Sequence, residues 1–176
     1  QHGGAAYVIG GTLQVEAASH VRNNTAVRGG GLFALSSRLV IGNSSFEANR
    51  ASVAGGGLHW GCDTEQQCAQ TIIQSTSFSN QESKGGGGCV FEASPYRIDK
   101  HWPEMQAACS NTTNRAEFGS MRASYPVVAT PRLSGVHAVD IGTTLSQSGG
   151  TLMCGFQDRY GQAIRHRNLK AGGLLT

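Results

Sequence analysis

Four of the five cysteines fall into two near pairs, and their spacing decides what chemistry they can do. Cys62 and Cys68 have five residues between them, and Cys89 and Cys109 flank the segment EASPYRIDKHWPEMQAA. A structural zinc site needs Cys-x-x-Cys or a comparable Cys/His spacing, which neither pair supplies. Local disulfides fit better, and two such staples imply an oxidising compartment. Cys154 is left over and is expected to pair outside the chain. Three sequons point the same way, at Asn23, Asn43 and Asn111, each followed two residues later by Ser or Thr. Asn43 and Asn111 are the expected glycan carriers.

Catalytic arrangements are harder to find. Six histidines are scattered without an HxH or HExxH pattern, so no metal or other cofactor is implied. Asp63, Asp99, Asp140 and Asp158 are the only aspartates, each in a separate segment. A glycosidase would need paired carboxylates, and a lyase would need a carboxylate cluster for calcium beside a basic side chain. The nearest candidate is Asp99 with Glu104 and Lys100, an acidic loop of the kind that is usually only solvated. The stretches GGGL and GGGG lack the Gly-Lys-Ser/Thr ending of a phosphate loop and read as structural corners. Trp60, Tyr96 and Trp102, with His59 and His101, fall in or beside apparent insertions. They are candidate contact residues, either lids on the core or a small platform for stacking a sugar.

The elements that must hold these residues follow from an internal repeat. The segment beginning at Gly3 aligns without gaps on the one beginning at Gly29, an offset of 26 residues that puts Leu13 on Leu39 and Val15 on Ile41. The same offset puts His20 on Phe46 and Asn23 on Asn49. Further copies begin at Gly55 and Gly85, with insertions of about four and eight residues read from the same alignment. Apolar runs of three to five residues, such as Leu32 to Leu35 and Leu39 to Ile41, are separated by Gly, Ser and Asn. Those lengths suit strands, and glycine triplets exclude a helical repeat. Short strands turning at small residues and stacking copy on copy would form ladders about 4.8 Å apart. Leu13, Leu39 and Ile72 or Ile73 would then share the core. Gly30, Gly56 and Gly86 would form a row of corners, and Asn23, Asn49 and Asn114 a row of inward-turned side chains. An inward Asn23 would be a poor glycan site.

The pairs GGGL and FEANRA, with their relatives HVRN, SFSN and NTTNRA, resemble the Gly-Gly-aliphatic and Phe-x-x-Asn signatures of the polymorphic-outer-membrane-protein type of repeat. The resemblance covers roughly residues 3 to 120, departs at His20 and Asn111 where Phe is usual, and has a short Phe78-to-Asn80 spacing. It implies an all-β chain, a right-handed parallel β-helix of about four coils, as in bacterial surface adhesins and large extracellular proteins of algae and ciliates. The later stretch GGTLMCGFQDRYGQAI resembles the Asp-x-aromatic-Gly-Asn/Gln turn of immunoglobulin-like sandwiches. On this reading residues 1–120 are the repeats, 121–135 a linker, and 136–176 the start of a sandwich. Val136 to Val139 and Thr151 to Phe156 are its strands, with Asp158 to Gly161 a turn. Only some fifty residues remain where a sandwich takes about a hundred, so the chain is expected to stop inside a domain.

Composition narrows the function. Charged residues are 14% and the net charge is +3, with the cations scattered, so there is no nucleic-acid footprint. No apolar run is long enough for a membrane helix. With 25 glycines and 39% apolar residues the chain suits a folded, turn-rich β protein. The expected role is a non-catalytic, glycosylated scaffold at the cell surface or outside the cell, an adhesin or a filament segment. Its partners would be neighbouring subunits, further domains of the same chain, N-linked glycans and carbohydrate. The rival is a polysaccharide-binding or polysaccharide-degrading β-helix of the lyase type.

Overall fold

In a computed structural model the described residues are 1–64, 66, 71–94, 109, 113–133 and 152–164. The chain divides into two compact units, Gln1–Tyr125 and Pro126–Thr176. The first is built from quartets of short strands. They are β1 (Ala6–Ile9), β2 (Thr12–Val15), β3 (His20–Arg22) and β4 (Thr25–Arg28), then β5 (Leu32–Leu35), β6 (Arg38–Gly42), β7 (Ser45–Glu47) and β8 (Arg50–Ala54). A third quartet follows with β9 (Leu58–Gly61), β10 (Ile72–Gln74), β11 (Ser77–Ser79) and β12 (Glu82–Ser83), after which come β13 (Val90–Glu92) and β14 (Arg122–Ser124). Every strand of this unit pairs in parallel with its counterpart in the next quartet, giving sheets ordered β1-β5-β9-β13-β14, β10-β6-β2, β11-β7-β3 and β12-β8-β4. Parallel ladders between consecutive copies, not a sequential antiparallel meander, are what the 26-residue offset required.

One core collects the inward side chains of three sheets. Leu32, Leu58 and Val90 come from the first, Leu39, Ile41 and Ile73 from the second, and Val21, Phe46 and Phe78 from the third. The Phe46 and Phe78 rings stack 4.5 Å apart. Leu13 pairs with Leu39 as expected, while Ile73 lies on Ile41 and Val15 rather than on Leu39.

Two glycine rows shape the corner before each strand of the five-stranded sheet. Gly3, Gly29, Gly55, Gly87 and Gly119 all have φ between 61° and 71°, the left-handed region in which a Cβ is strained. At the residue after each of the first four, a Cβ would collide with the carbonyl oxygen one quartet further on. That second row is Gly4, Gly30, Gly56 and Gly88. Gly30 and Gly56 are therefore placed as expected, but the third member is Gly88, not Gly86. Gly86 instead bridges Ala54 and Phe118. The third-copy insertion is two residues longer than the alignment allowed, as the pairing of Leu58 with Val90 requires.

The asparagine row is corrected by one position. Val15 faces Ile41, yet His20 faces Ser45 and Val21 faces Phe46, because the first quartet spends one extra residue at Ala17 and Ala18, both at positive φ. The row is consequently Asn24, Asn49, Gln81 and Asn114. The Asn24 amide nitrogens donate to Asn49 Oδ1 at 3.1 and 3.0 Å. Asn49 N and Nδ2 donate to Gln81 Oε1 at 3.2 and 3.1 Å, and Gln81 N donates to Asn114 Oδ1 at 2.8 Å. Three of the side-chain amides also donate to a backbone carbonyl, Asn49 to Val21 and Asn114 to Phe78 in the preceding quartet and Gln81 to Ser79 in its own turn. Asn23 is instead the exposed turn residue, with φ 57°, and His20 is exposed as well.

Residues 121–135, expected as a linker, carry two strands. Arg122–Ser124 extends the parallel sheet, and β15 (Pro126–Leu133) belongs to the second unit, where it pairs antiparallel with β16 (Leu152–Asp158). The short apolar run Val127 to Ala129 was strand-like, and the expected boundary at 120 hid it. A short β17 (Ala163–Ile164) completes a three-stranded antiparallel sheet. The turn before it is the expected one. Asp158 Oδ1 accepts the N–H groups of Tyr160 and Gln162, both at 2.9 Å, and Gly161 takes φ 74°. The strand expected at Val136 to Val139 lies outside the described residues.

Candidate functional site

Strand alternation sends every second residue of the five-stranded sheet away from the core. Those residues are Tyr7, Phe33, His59, Phe91 and Ala123, in register. Their rings stack, Tyr7 on Phe33 at 5.1 Å, Phe33 on His59 at 4.9 Å and His59 on Phe91 at 5.1 Å. Tyr125 closes the row edge-on to Phe91 at 5.1 Å, and His2 stacks against Phe33 at 4.9 Å. Parallel pairing places equivalent residues one strand spacing apart, and that spacing is close to the stacking distance of aromatic rings.

His59 is the unusual member. It is 1% exposed, and its Nδ1 has no hydrogen-bond partner. Burial first, and then the charge of Arg28, lowers its pKa from 6.5 to about 3, so the ring is neutral at physiological pH. Beside it opens a pocket of about 240 Å³ lined by Arg28, Phe33, His59, Asp63, Ala93 and Tyr125, among others. The Ser36 hydroxyl donates to Asp63 Oδ2.

The chain matches no family model, no curated protein and no solved structure. The site therefore rests on its own geometry.

Of the residues marked by sequence, Cys89 and Cys109 form a disulfide with Cα atoms 6.1 Å apart. Cys62 is disulfide-bonded too, while Cys68 lies outside the described residues. Tyr96, Trp102, Asn111 and the group Asp99, Lys100 and Glu104 also lie outside them. Trp60 is not a contact residue. It is 1% exposed in the core, where Nε1 donates to Thr71 Oγ1 at 3.0 Å. Its alternation with His59 places it on the inner face, and a buried indole needs such an acceptor. Asn43 is exposed at a turn with φ 45°. Asn23 is exposed as well, so the inward orientation that counted against a glycan there does not hold. Among the described residues no three His, Cys, Asp or Glu side chains cluster as a metal site, and no helix is long and apolar enough to cross a membrane.

Arg28, Asp63 and Tyr125 were missed by sequence reasoning, since none recurs from copy to copy. The aromatic row was partly readable, because the 26-residue offset carries Tyr7 onto Phe33 and Phe33 onto His59. Also missed was a buried ion pair on the core face. Arg122 Nη2 and Nε reach Glu92 Oε1 at 2.8 and 3.0 Å, with the two side chains 5% and 0% exposed. Both occupy positions that the preceding strands fill with Val90 and Trp60.

Proposed function

We propose that residues 1–125 are a right-handed parallel β-helix, and that the chain serves as a non-catalytic extracellular scaffold, a stiff segment of an adhesive or filamentous surface protein. The observation that carries this reading is the persistence of four unlike ladders through consecutive quartets. Glycine corners, an amide row, an aliphatic core and an aromatic row all keep one register, which is how a stacked rod is built. The oxidised Cys89 and Cys109, with the bonded Cys62, support an oxidising compartment. Exposed Asn23 and Asn43 are accessible to glycosylation. The antiparallel sheet with its Asp158 turn supports an immunoglobulin-like domain as the continuation. Partners on this reading are neighbouring subunits or further domains.

Secretion from a eukaryotic host tests the proposal. Peptide mapping should find glycan at Asn43 and no free thiol at Cys62, Cys89 or Cys109, and incubation with acidic and neutral polysaccharides should release no fragments. Unmodified Asn23, Asn43 and Asn111 with free thiols would remove the extracellular reading. Unsaturated or reducing-end products would replace the scaffold by a lyase or hydrolase.

A further inference from the structure

The pocket beside His59 has four features that restrict what it accepts. Arg28 is a partly buried residue and makes no ion pair among the described residues. A guanidinium lining a pocket without a counterion is a seat for an anion. At the rim, the Asp63 carboxylate accepts from the Ser36 hydroxyl, and an acceptor of this kind favours groups that donate hydrogen bonds. Tyr125 is 48% exposed and offers an aromatic face. His59, fully buried in the wall, contributes a neutral ring whose Nδ1 is sealed from solvent, so its side chain adds no charge to the pocket. A ligand meeting all four has a single carboxylate, several hydroxyls and an apolar ring face.

We infer that this pocket binds one carboxylate-bearing sugar ring, a hexuronate-type unit, with its carboxylate on Arg28, hydroxyls toward Asp63 and a ring face against Tyr125. The size agrees. At about 240 Å³ the pocket lies below the roughly 300–1,000 Å³ of sites for larger ligands, which suits one ring rather than a buried chain. The inference stands on the pocket and goes beyond the scaffold reading. Free thiols or missing glycans would end that reading and leave this one intact.

Titration calorimetry of the full chain with sodium glucuronate at neutral pH tests it, with glucose, lactate and inorganic phosphate as comparators. Glucuronate should bind saturably, and glucose and lactate each at least about tenfold more weakly, since each lacks one of the two recognised features. Arg28→Gln and Tyr125→Ala should each weaken glucuronate by about tenfold or more, with far-UV circular dichroism verifying the fold. If Arg28→Gln does not fold, Tyr125→Ala and Asp63→Asn, both at exposed positions, carry the test. No saturable glucuronate binding up to about 20 mM would overturn the inference. So would equal affinity for lactate, or affinity for glucuronate untouched by both exposed-site variants.

Discussion

On the core face of the five-stranded sheet Leu32, Leu58 and Val90 repeat one aliphatic contact, whereas on the opposite face Phe33, His59 and Phe91 stack rings of unlike chemistry. Both faces share one backbone ladder. They differ in where polarity enters. The side chains of this inner face carry no charge until its last two strands, where Glu92 of β13 and Arg122 of β14 take the inward positions together. The opposite face admits a buried imidazole in mid-row, held neutral by burial and unsatisfied at Nδ1. Polarity in the core is thus fully paired and structural, while polarity outside it is left open beside a pocket.

The core face should therefore show the largest loss when its pairing is broken. Arg122→Ala leaves the Glu92 carboxylate buried without its guanidinium, and stability should fall by about 3–5 kcal/mol in urea denaturation. Replacing both partners, Glu92→Leu with Arg122→Met, should recover most of that loss. A loss below about 1 kcal/mol for Arg122→Ala would mean that water enters this end of the core. Asn49→Ala comes next. It removes the acceptor of two Asn24 nitrogens and a donor to Gln81, so a loss of about 2–3 kcal/mol is expected. The same change at exposed Asn23 should be near neutral, which separates the corrected row from the expected one.

On the opposite face the effect depends on pH. With a pKa of about 3 in the folded chain and an unfolded value near 6.5, His59 binds its proton more readily when unfolded. Its contribution is fully present above about pH 6.5 and is lost as pH falls from there toward 3. His59→Phe removes the titration and keeps the ring stack. Relative to the parent chain it should gain about 2 kcal/mol on going from pH 7.5 to pH 5, read from paired melts. An unchanged difference between the two pH values would show that the imidazole is solvated.

How much of this was legible follows from what a repeat alignment can count. Leu13 on Leu39 and Val15 on Ile41 were readable because no residue is gained or lost between them. Asn24 was not, because the extra residue at Ala17 and Ala18 changes no hydrophobic letter and only a backbone with positive φ there reveals it. Gln81 was overlooked as a member of the amide row because its residue type differs, although its side chain carries the same donor and acceptor. Counted to Gln81, the spacing from Phe78 is regular, so the short Phe78-to-Asn80 interval was an artefact of seeking Asn. Trp60 was read as a lid since an insertion follows it, yet strand alternation with His59 decides its direction. The pocket was illegible for another reason. Arg28 ends β4, Asp63 follows β9 and Tyr125 follows β14, so only the stacking of successive quartets brings them together.

The smallest effect belongs to the solvent side of the sheet β12-β8-β4, where Arg50 Nε lies 3.3 Å from Glu82 Oε2. It has the form of the core pair without its environment. The side chains are 68% and 48% exposed, so water screens their attraction and both lose rotamer freedom on pairing. Arg50→Gln should cost about 0.2–1 kcal/mol at low salt and less still at 1 M salt, where the screening length is about 3 Å. Thermal melts of the parent and the variant at the two salt concentrations measure the difference. If Arg50→Gln cost as much as Arg122→Ala, exposure would not be what separates the two ion pairs, and the contrast between a structural interior and an adaptable exterior would fail at its simplest point.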